Sequence, residues 1–258
     1  MLTTARGLLC RGGMNTLSFG LSHVGRRSNN EDALLEAREL GLFAVADGLG
    51  GYEGGEIASK LTVSVLESFV TANRRDPQGT WPIRAIKSRT FEENLLAAAS
   101  VAAHREISAR RTGALSQMGS TVVAALLRDA KLTVMHCGDS RIYRLRDGLV
   151  SSLTRDHSVW AEMEAAGLAG ERAGFAWKNQ ITRALGLDGH SNPDVATFEV
   201  KRGDVYLLCS DGLYDPLEAP RLREGLCLGP EDACRDLVAA AFEAGSHDNI
   251  TGVVVRCE

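Results

Sequence analysis

The chain has 258 residues, 44% hydrophobic and 24% charged, the proportions of a soluble globular protein with room for a large core. A net charge of −4 and an aromatic content of 5% argue against a nucleic-acid platform or an electrostatic membrane anchor. No apolar stretch reaches the roughly 18 residues of a membrane span, and Leu8-Leu9-Cys10 is too short for a signal-peptide core, so a cytoplasmic location is expected.

Residues 1–13 read as a disordered extension, and residues 14–258 as a single domain. Alternation of Leu17, Phe19 and Leu21 predicts a half-buried strand over 16–23. A turn dense in charge follows at 24–32, then short strands over 33–37 and 42–46, spaced closely enough to pair antiparallel. Ile57, Leu61, Val65 and Phe69 recur at helical spacing and predict a helix over 56–69. A second helix is expected over 83–111 after the break at Asp76-Pro77-Gln78-Gly79. Strands follow over 120–127, 132–137, 142–145 and 149–153, with hairpin turns at 128–131 and at Arg146-Asp147-Gly148. Residues 156–166 read as a short helix opened by Asp156. Residues 167–180, from Gly167 past Trp177, lack periodicity and are expected to form a mobile flap. Strands over 195–200 and 204–210, a helix over 231–244 and a strand over 250–257 complete the chain. Strands and helices come in blocks, which favours an α+β fold with antiparallel sheets. The six cysteines are scattered without a C-x-x-C pair, and Cys137 and Cys209 sit in apolar runs as small buried hydrophobes.

Four apolar strands end or begin at an aspartate in a small polar turn: Asp47, Asp139, Asp211 and Asp248. Glu31-Asp32 opens a fifth. Two carboxylates about 4 Å apart repel by about 4 kcal/mol at an effective dielectric of 20. A convergent cluster therefore needs protons or bound cations. Histidine and cysteine do not recur at ligand spacing, so the donors are oxygens, which suit Mg²⁺ or Mn²⁺. Two such ions sharing one carboxylate activate water and turn an acidic pocket into a phosphate site, with Arg26 or Arg27 at hand as a bidentate partner. That chemistry is metal-dependent phosphate-ester hydrolysis.

In order and spacing, these residues resemble the metal-dependent protein phosphatases, the type 2C serine/threonine phosphatases, in their bacterial form. The resemblance runs through Arg27-Ser28-Asn29-Asn30-Glu31-Asp32, Asp47-Gly48-Leu49-Gly50-Gly51, Gly119-Ser120-Thr121 and Gly138-Asp139-Ser140-Arg141. It continues through Asp156-His157, Ser210-Asp211-Gly212-Leu213 and Asp248-Asn249-Ile250-Thr251. It implies a four-layer α-β-β-α sandwich, two antiparallel sheets flanked by helices, with the metals at one end. Asp47 is implied to bridge two Mn²⁺ or Mg²⁺ ions, with the Gly48 carbonyl on one ion and Asp211 and Asp248 on the other. Glu31 and Asp32 are implied to hold water on the ions, Asp139 a weaker third ion, and Arg27 the phosphate. Asn249 is implied to orient the neighbouring ligand, and the segment from Gly167 to Trp177 to flank the substrate groove.

Two positions depart from the family pattern. Leu49 stands where many animal members have histidine, and Tyr52 where many bacterial members do, so the proton donor is unassigned. His157 reads as structural, and Arg141 as a scaffold ion-pair donor. The implied partners are phosphorylated proteins, namely a Ser/Thr kinase and its substrates, with a secretion system as the context; nucleic acid and membrane are not implied. Two other readings are a phosphatase for a small regulator of the anti-sigma-antagonist type and a metal-loaded phosphopeptide-binding module without turnover.

Overall fold

The structure, a computed structural model, describes residues 8–9, 15–51, 53–76, 80–168, 180–187 and 191–258. The strands are β1 (Leu8–Leu9), β2 (Asn15–His23), β3 (Asp32–Ala37), β4 (Leu42–Leu49), β5 (Gly119–Ser120), β6 (Val122–Arg128), β7 (Lys131–Cys137), β8 (Arg141–Arg146), β9 (Leu149–Ser152), β10 (Asp194–Glu199), β11 (Val205–Cys209) and β12 (Ile250–Cys257). The helices are α1 (Glu53–Asn73), α2 (Phe91–Arg110), α3 (Val159–Ala165), α4 (Asp211–Tyr214), α5 (Ala219–Leu226) and α6 (Pro230–Glu243).

One sheet has the order β1-β2-β12-β11-β8-β9 and the other β10-β7-β6-β4-β3, with β5 pairing β4 beside it; every pairing is antiparallel. The period of two in the strands sorts their side chains into two layers. In β6, Val123, Ala125 and Leu127 enter the core between the sheets, while Val122, Ala124 and Leu126 face α1 and α2. In β12, Val253 and Val255 go inward, and Ile250 and Val254 meet the layer of α4, α5 and α6. The α+β sandwich expected from the resemblance is therefore the observed one, with three apolar layers between four layers of secondary structure.

Some boundaries differ from expectation, each for a physical reason. Helix α2 starts at Phe91, not near residue 83. A capping box between Thr90 and Glu93 sets its first turn. The preceding residues fold back onto Asn94, whose amide accepts from the Ile86 N–H and donates to the carbonyls of Ile86, Arg89 and Thr90. Helix α3 opens at Ser158, whose hydroxyl accepts from the Ala161 N–H; Asp156 is instead committed to Arg141. The short helices α4 and α5 were not expected. Leu8–Leu9, inside the segment expected to be disordered, pairs with Asn15 and Thr16 on β2. Most of the expected flap, with Trp177, lies outside the described residues; Gly167 ends the turn after α3 in a left-handed conformation. Tyr52 also lies outside them. No described helix is long and apolar enough to cross a membrane. The described cysteines are free thiols, and burial pushes that of Cys137 up to about 12.

Candidate metal centre

The two sheets meet the acidic residues at one end of the sandwich. Asp32 and Asp47 are direct cross-strand partners on β3 and β4. Asp139 follows β7 after Gly138, Asp211 opens α4 where β11 ends, and Asp248 stands two residues before β12. Three carboxyls thus come from one sheet and two from the other.

Hydrogen bonds between the sheets hold this rim. The Ser210 hydroxyl donates to Asp32 Oδ2 at 2.8 Å and accepts from the Thr251 N–H at 3.2 Å. Asn249 spends its whole side-chain amide on the β2–β3 turn: Oδ1 accepts from the Glu31 N–H at 2.8 Å, and Nδ2 donates to the carbonyls of Val24 and Asn29 at 2.8 and 2.9 Å. The backbone of Asp47 is fixed by Ser120 and Thr121, whose Oγ and N–H donate to its carbonyl at 3.1 and 2.8 Å. Asp248 accepts from the Asn249 N–H at 2.8 Å and from Arg27 Nη2 at 2.8 Å. Arg27, with a side chain 56% exposed, also donates from Nε to the His247 carbonyl at 3.2 Å, so it lies across the mouth of the cluster.

Close backbone approach explains the glycines. A Cβ on Gly48 would stand 2.0 Å from the Gly55 carbonyl oxygen, and one on Gly55 2.0 Å from Glu31 Oε2. The first turn of α1, the β4 end and Glu31 can stack this tightly only without side chains at both positions.

The carboxyls are crowded and short of positive charge. Burial, and then Asp211 and Asp248, push Asp32 up to about 7. Burial with Asp211 and Asp156 raises Asp139 to about 7, and burial with Asp248 and Asp215 raises Asp211 to about 6. Asp47 lies well above the usual carboxylate range, through burial and then Asp32, Asp211, Asp139 and Asp248. Burial also raises Glu31. Asp211 Oδ1 is buried with no hydrogen-bond partner among the described residues. A rim of oxygen donors that cannot all ionise unaided, with one lone pair left unused, fits divalent hard cations.

The structure brings Arg27, Glu31, Asp32, Asp47, Gly48, Asp211, Asp248 and Asn249 together, and Asp139 adjoins them through Asp211. Arg141 is held away from the rim: it pairs with both Asp156 oxygens at 2.8 and 2.6 Å and stacks over Tyr214 at 3.9 Å. Ser210 and Thr121, both inside the motifs that carry the resemblance, were given no role from the sequence, and Gly55, one turn beyond Gly51, was not singled out.

Sequence reasoning also missed a group made of two buried histidines, His136 and His157, and the exposed Asp194. His157 Nδ1 accepts from the Gly138 N–H at 3.2 Å, so its proton is on Nε2, directed at Asp194 Oδ2 at 3.2 Å. His136 Nε2 donates to the Arg155 carbonyl at 2.8 Å, and the two rings stack at 4.5 Å. Arg183 stands 3.0 Å from Asp194. These bonds engage both ring nitrogens of His157 and Nε2 of His136, and the group is a hydrogen-bonded brace for the Gly138-Asp139 turn.

The sequence model of protein phosphatase 2C matches residues 19–245. The serine/threonine protein phosphatase PstP of Mycobacterium tuberculosis is 34% identical over 233 residues, which cover 88% of this chain and 42% of PstP. The chain thus spans less than half the length of that relative. Among solved structures, PppA, a regulatory component of T6SS in Pseudomonas aeruginosa, is 35% identical with a TM-score of 0.74, covering 94% of this chain and 98% of its own. The catalytic domain of PstP in complex with two manganese ions is 29% identical with a TM-score of 0.76, covering 95% of this chain and 99% of its own.

Proposed function

The chain belongs to the protein phosphatase 2C family, and we propose that it is a metal-dependent protein serine/threonine phosphatase acting on phosphorylated proteins. The observation that carries this reading is the convergence of Asp32, Asp47, Asp139, Asp211 and Asp248, the first four raised by burial and by neighbouring carboxylates, with a buried oxygen on Asp211 unpartnered among the described residues. Two Mn²⁺ or Mg²⁺ ions would be held by Asp47, the Gly48 carbonyl, Asp211 and Asp248, and a weaker third by Asp139. When bound, such ions lower the pKa of water and neutralise the charge of a phosphate ester.

The chain's own residues do the rest. Asp32, fixed by Ser210, and Glu31, fixed through its N–H by Asn249, orient water by accepting hydrogen bonds from it. Arg27 is tethered at the mouth by Asp248 and can give two parallel N–H bonds to phosphate oxygens while remaining within reach of that carboxylate. Leu49 occupies the position at which many members of the family have a histidine as the acid for the leaving alkoxide. Water is the remaining proton source there.

The domain is residues 14–258, with β1 adding a short strand to its sheet from the segment before it, and the enzyme opposes a Ser/Thr kinase in the cytoplasm, acting on that kinase or its substrates. The likeness to PppA supports a secretion-system context. The test is phosphate release from a phosphothreonine peptide with Mn²⁺, with Mg²⁺ and with EDTA. Release that requires a divalent cation supports the reading. Metal-loaded protein that binds the peptide and releases no phosphate would make it a binding module.

A further inference from the structure

A cavity of about 310 Å³ opens off the acidic rim. Asp139, Asp211, Trp160 and Glu164 are among the residues that line it. The last two stand one turn apart on α3, so the indole and the carboxylate share one helix face. Trp160 is half-buried and Glu164 exposed, and the Glu164 carboxylate makes no ion pair or hydrogen bond with the described residues.

The charges of this cavity select its occupant. Five carboxylates line it, those of Asp139, Asp156, Glu164, Asp211 and Asp215, against two guanidiniums; with Asp139 and Asp211 given to the metals, Asp156, Glu164 and Asp215 remain. One of the guanidiniums is neutralised by Asp156. Arg141 is bound by Asp156, donates to the Tyr143 hydroxyl at 2.9 Å and covers the Tyr214 ring. Arg155 donates to the Ala161 carbonyl. Among the described lining residues the balance left beside the metals is three carboxylates to two guanidiniums, so a cation is favoured over an anion. A long cationic side chain meets an aromatic face to lie on and a carboxylate one helical turn further out.

We propose that this cavity is a substrate subsite for a basic side chain, arginine in preference to lysine, flanking the phosphorylated residue. The proposal rests on the phosphatase reading for the identity of the substrate. Arginine is favoured because its planar guanidinium stacks on an indole and presents two parallel donors to a carboxylate, whereas an ammonium does neither. The enzyme thereby reads a phosphoserine or phosphothreonine set in a basic sequence, with Glu164 and Trp160 as specificity residues and no part in the chemistry.

The test uses the full chain with Mn²⁺ and a set of phosphothreonine peptides. Each carries one arginine, placed in turn from three residues before to three residues after the phosphorylated residue, and is paired with the same peptide bearing neutral citrulline. At one position arginine should raise kcat/KM about fivefold, through KM, with the preference shrinking as salt is added. Glu164→Gln and Trp160→Leu should each remove most of that preference and leave p-nitrophenyl phosphate and the citrulline peptides unaffected. Glu164→Arg should turn the preference toward a peptide with glutamate at the same position.

A flat arginine series, or equal losses on every substrate, would overturn the subsite. Fluorescence anisotropy with the same peptides reads the cavity independently of turnover. Hydrolysis of p-nitrophenyl phosphate with a flat series in both assays removes the subsite and leaves the phosphatase standing. Arginine-dependent binding that Glu164→Gln abolishes, in a protein that hydrolyses nothing, keeps the subsite and removes the phosphatase.

Discussion

Asp204 and Asp211 stand at opposite ends of one strand, β11, and their surroundings are opposite in kind. Asp204 is 1% exposed. It accepts from Arg146 Nε and Nη2 at 2.6 and 2.5 Å, from the Lys201 N–H at 2.8 Å and from the Tyr206 hydroxyl at 2.8 Å. Burial works against its charge, but these donors hold its carboxyl below the usual range. Asp211 has Asp47, Asp248 and Asp215 for company, one buried oxygen without a partner, and a pKa pushed up to about 6. The chain supplies a cation at one end of the strand and leaves the other end to be supplied from solution. A buried aspartate with its own arginine belongs to the scaffold; one surrounded by further aspartates belongs to a site.

The largest effect should come from breaking the cation-poor end. Asp47→Asn is expected to lower kcat/KM on a phosphothreonine peptide at least a thousandfold, about 4 kcal/mol of lost transition-state stabilisation, with circular dichroism unchanged. A loss under tenfold would remove Asp47 from the centre.

Breaking the cation-rich end should do the converse. Asp204→Asn leaves the Arg146 charge without its partner and should cost about 3 kcal/mol of stability in urea denaturation, while kcat/KM of the folded fraction is unchanged.

The comparison also has a pH signature. The raised groups, Asp32 and Asp139 near 7 and Asp211 near 6, bind more protons folded than unfolded. Stability from them is fully present below pH 4 and is lost as pH rises through 6 and 7. Metal-free protein should therefore melt several degrees lower at pH 8 than at pH 5, and Mn²⁺ should raise Tm more at pH 8 than at pH 5. A metal-free Tm that climbs over this range would contradict it. The smallest effect is expected for Ser210→Ala, which removes the hydroxyl that donates to Asp32. One ordinary hydrogen bond, about 1 kcal/mol, corresponds to roughly a fivefold weaker Mn²⁺ affinity in calorimetry.

The cation-poor end was legible in the sequence because each acidic residue interrupts an apolar run, and a run of small and branched side chains such as Leu42 to Ala46 cannot be solvent-facing. The cation-rich end was not. Arg146 and Asp204 are 58 residues apart and meet only because β8 pairs with β11, a register no local pattern encodes. The start of α2 was misplaced because residues 83–90 carry helix-forming types, while the decisive contacts are those of one buried side chain, Asn94. Helices α4 and α5 span 4 and 8 residues, too few for a period of 3.6 to show itself. The expectation of Asp156 as a helix cap failed because a bidentate arginine outbids a helix end for a carboxylate, and Ser158 takes the cap instead.

In its sheet, β12 lies between β2, the first long strand, and β11. Asp248 and Asn249, which introduce it, are the anchors for Arg27 and for the turn that carries Glu31. A polypeptide emerging from the ribosome therefore displays its arginine, Asp32 and Asp47 early, yet has nothing to hold the arginine in place until some 220 further residues have been added. The arginine proposed to bind phosphate is thus held in place only once β12 has docked between β2 and β11.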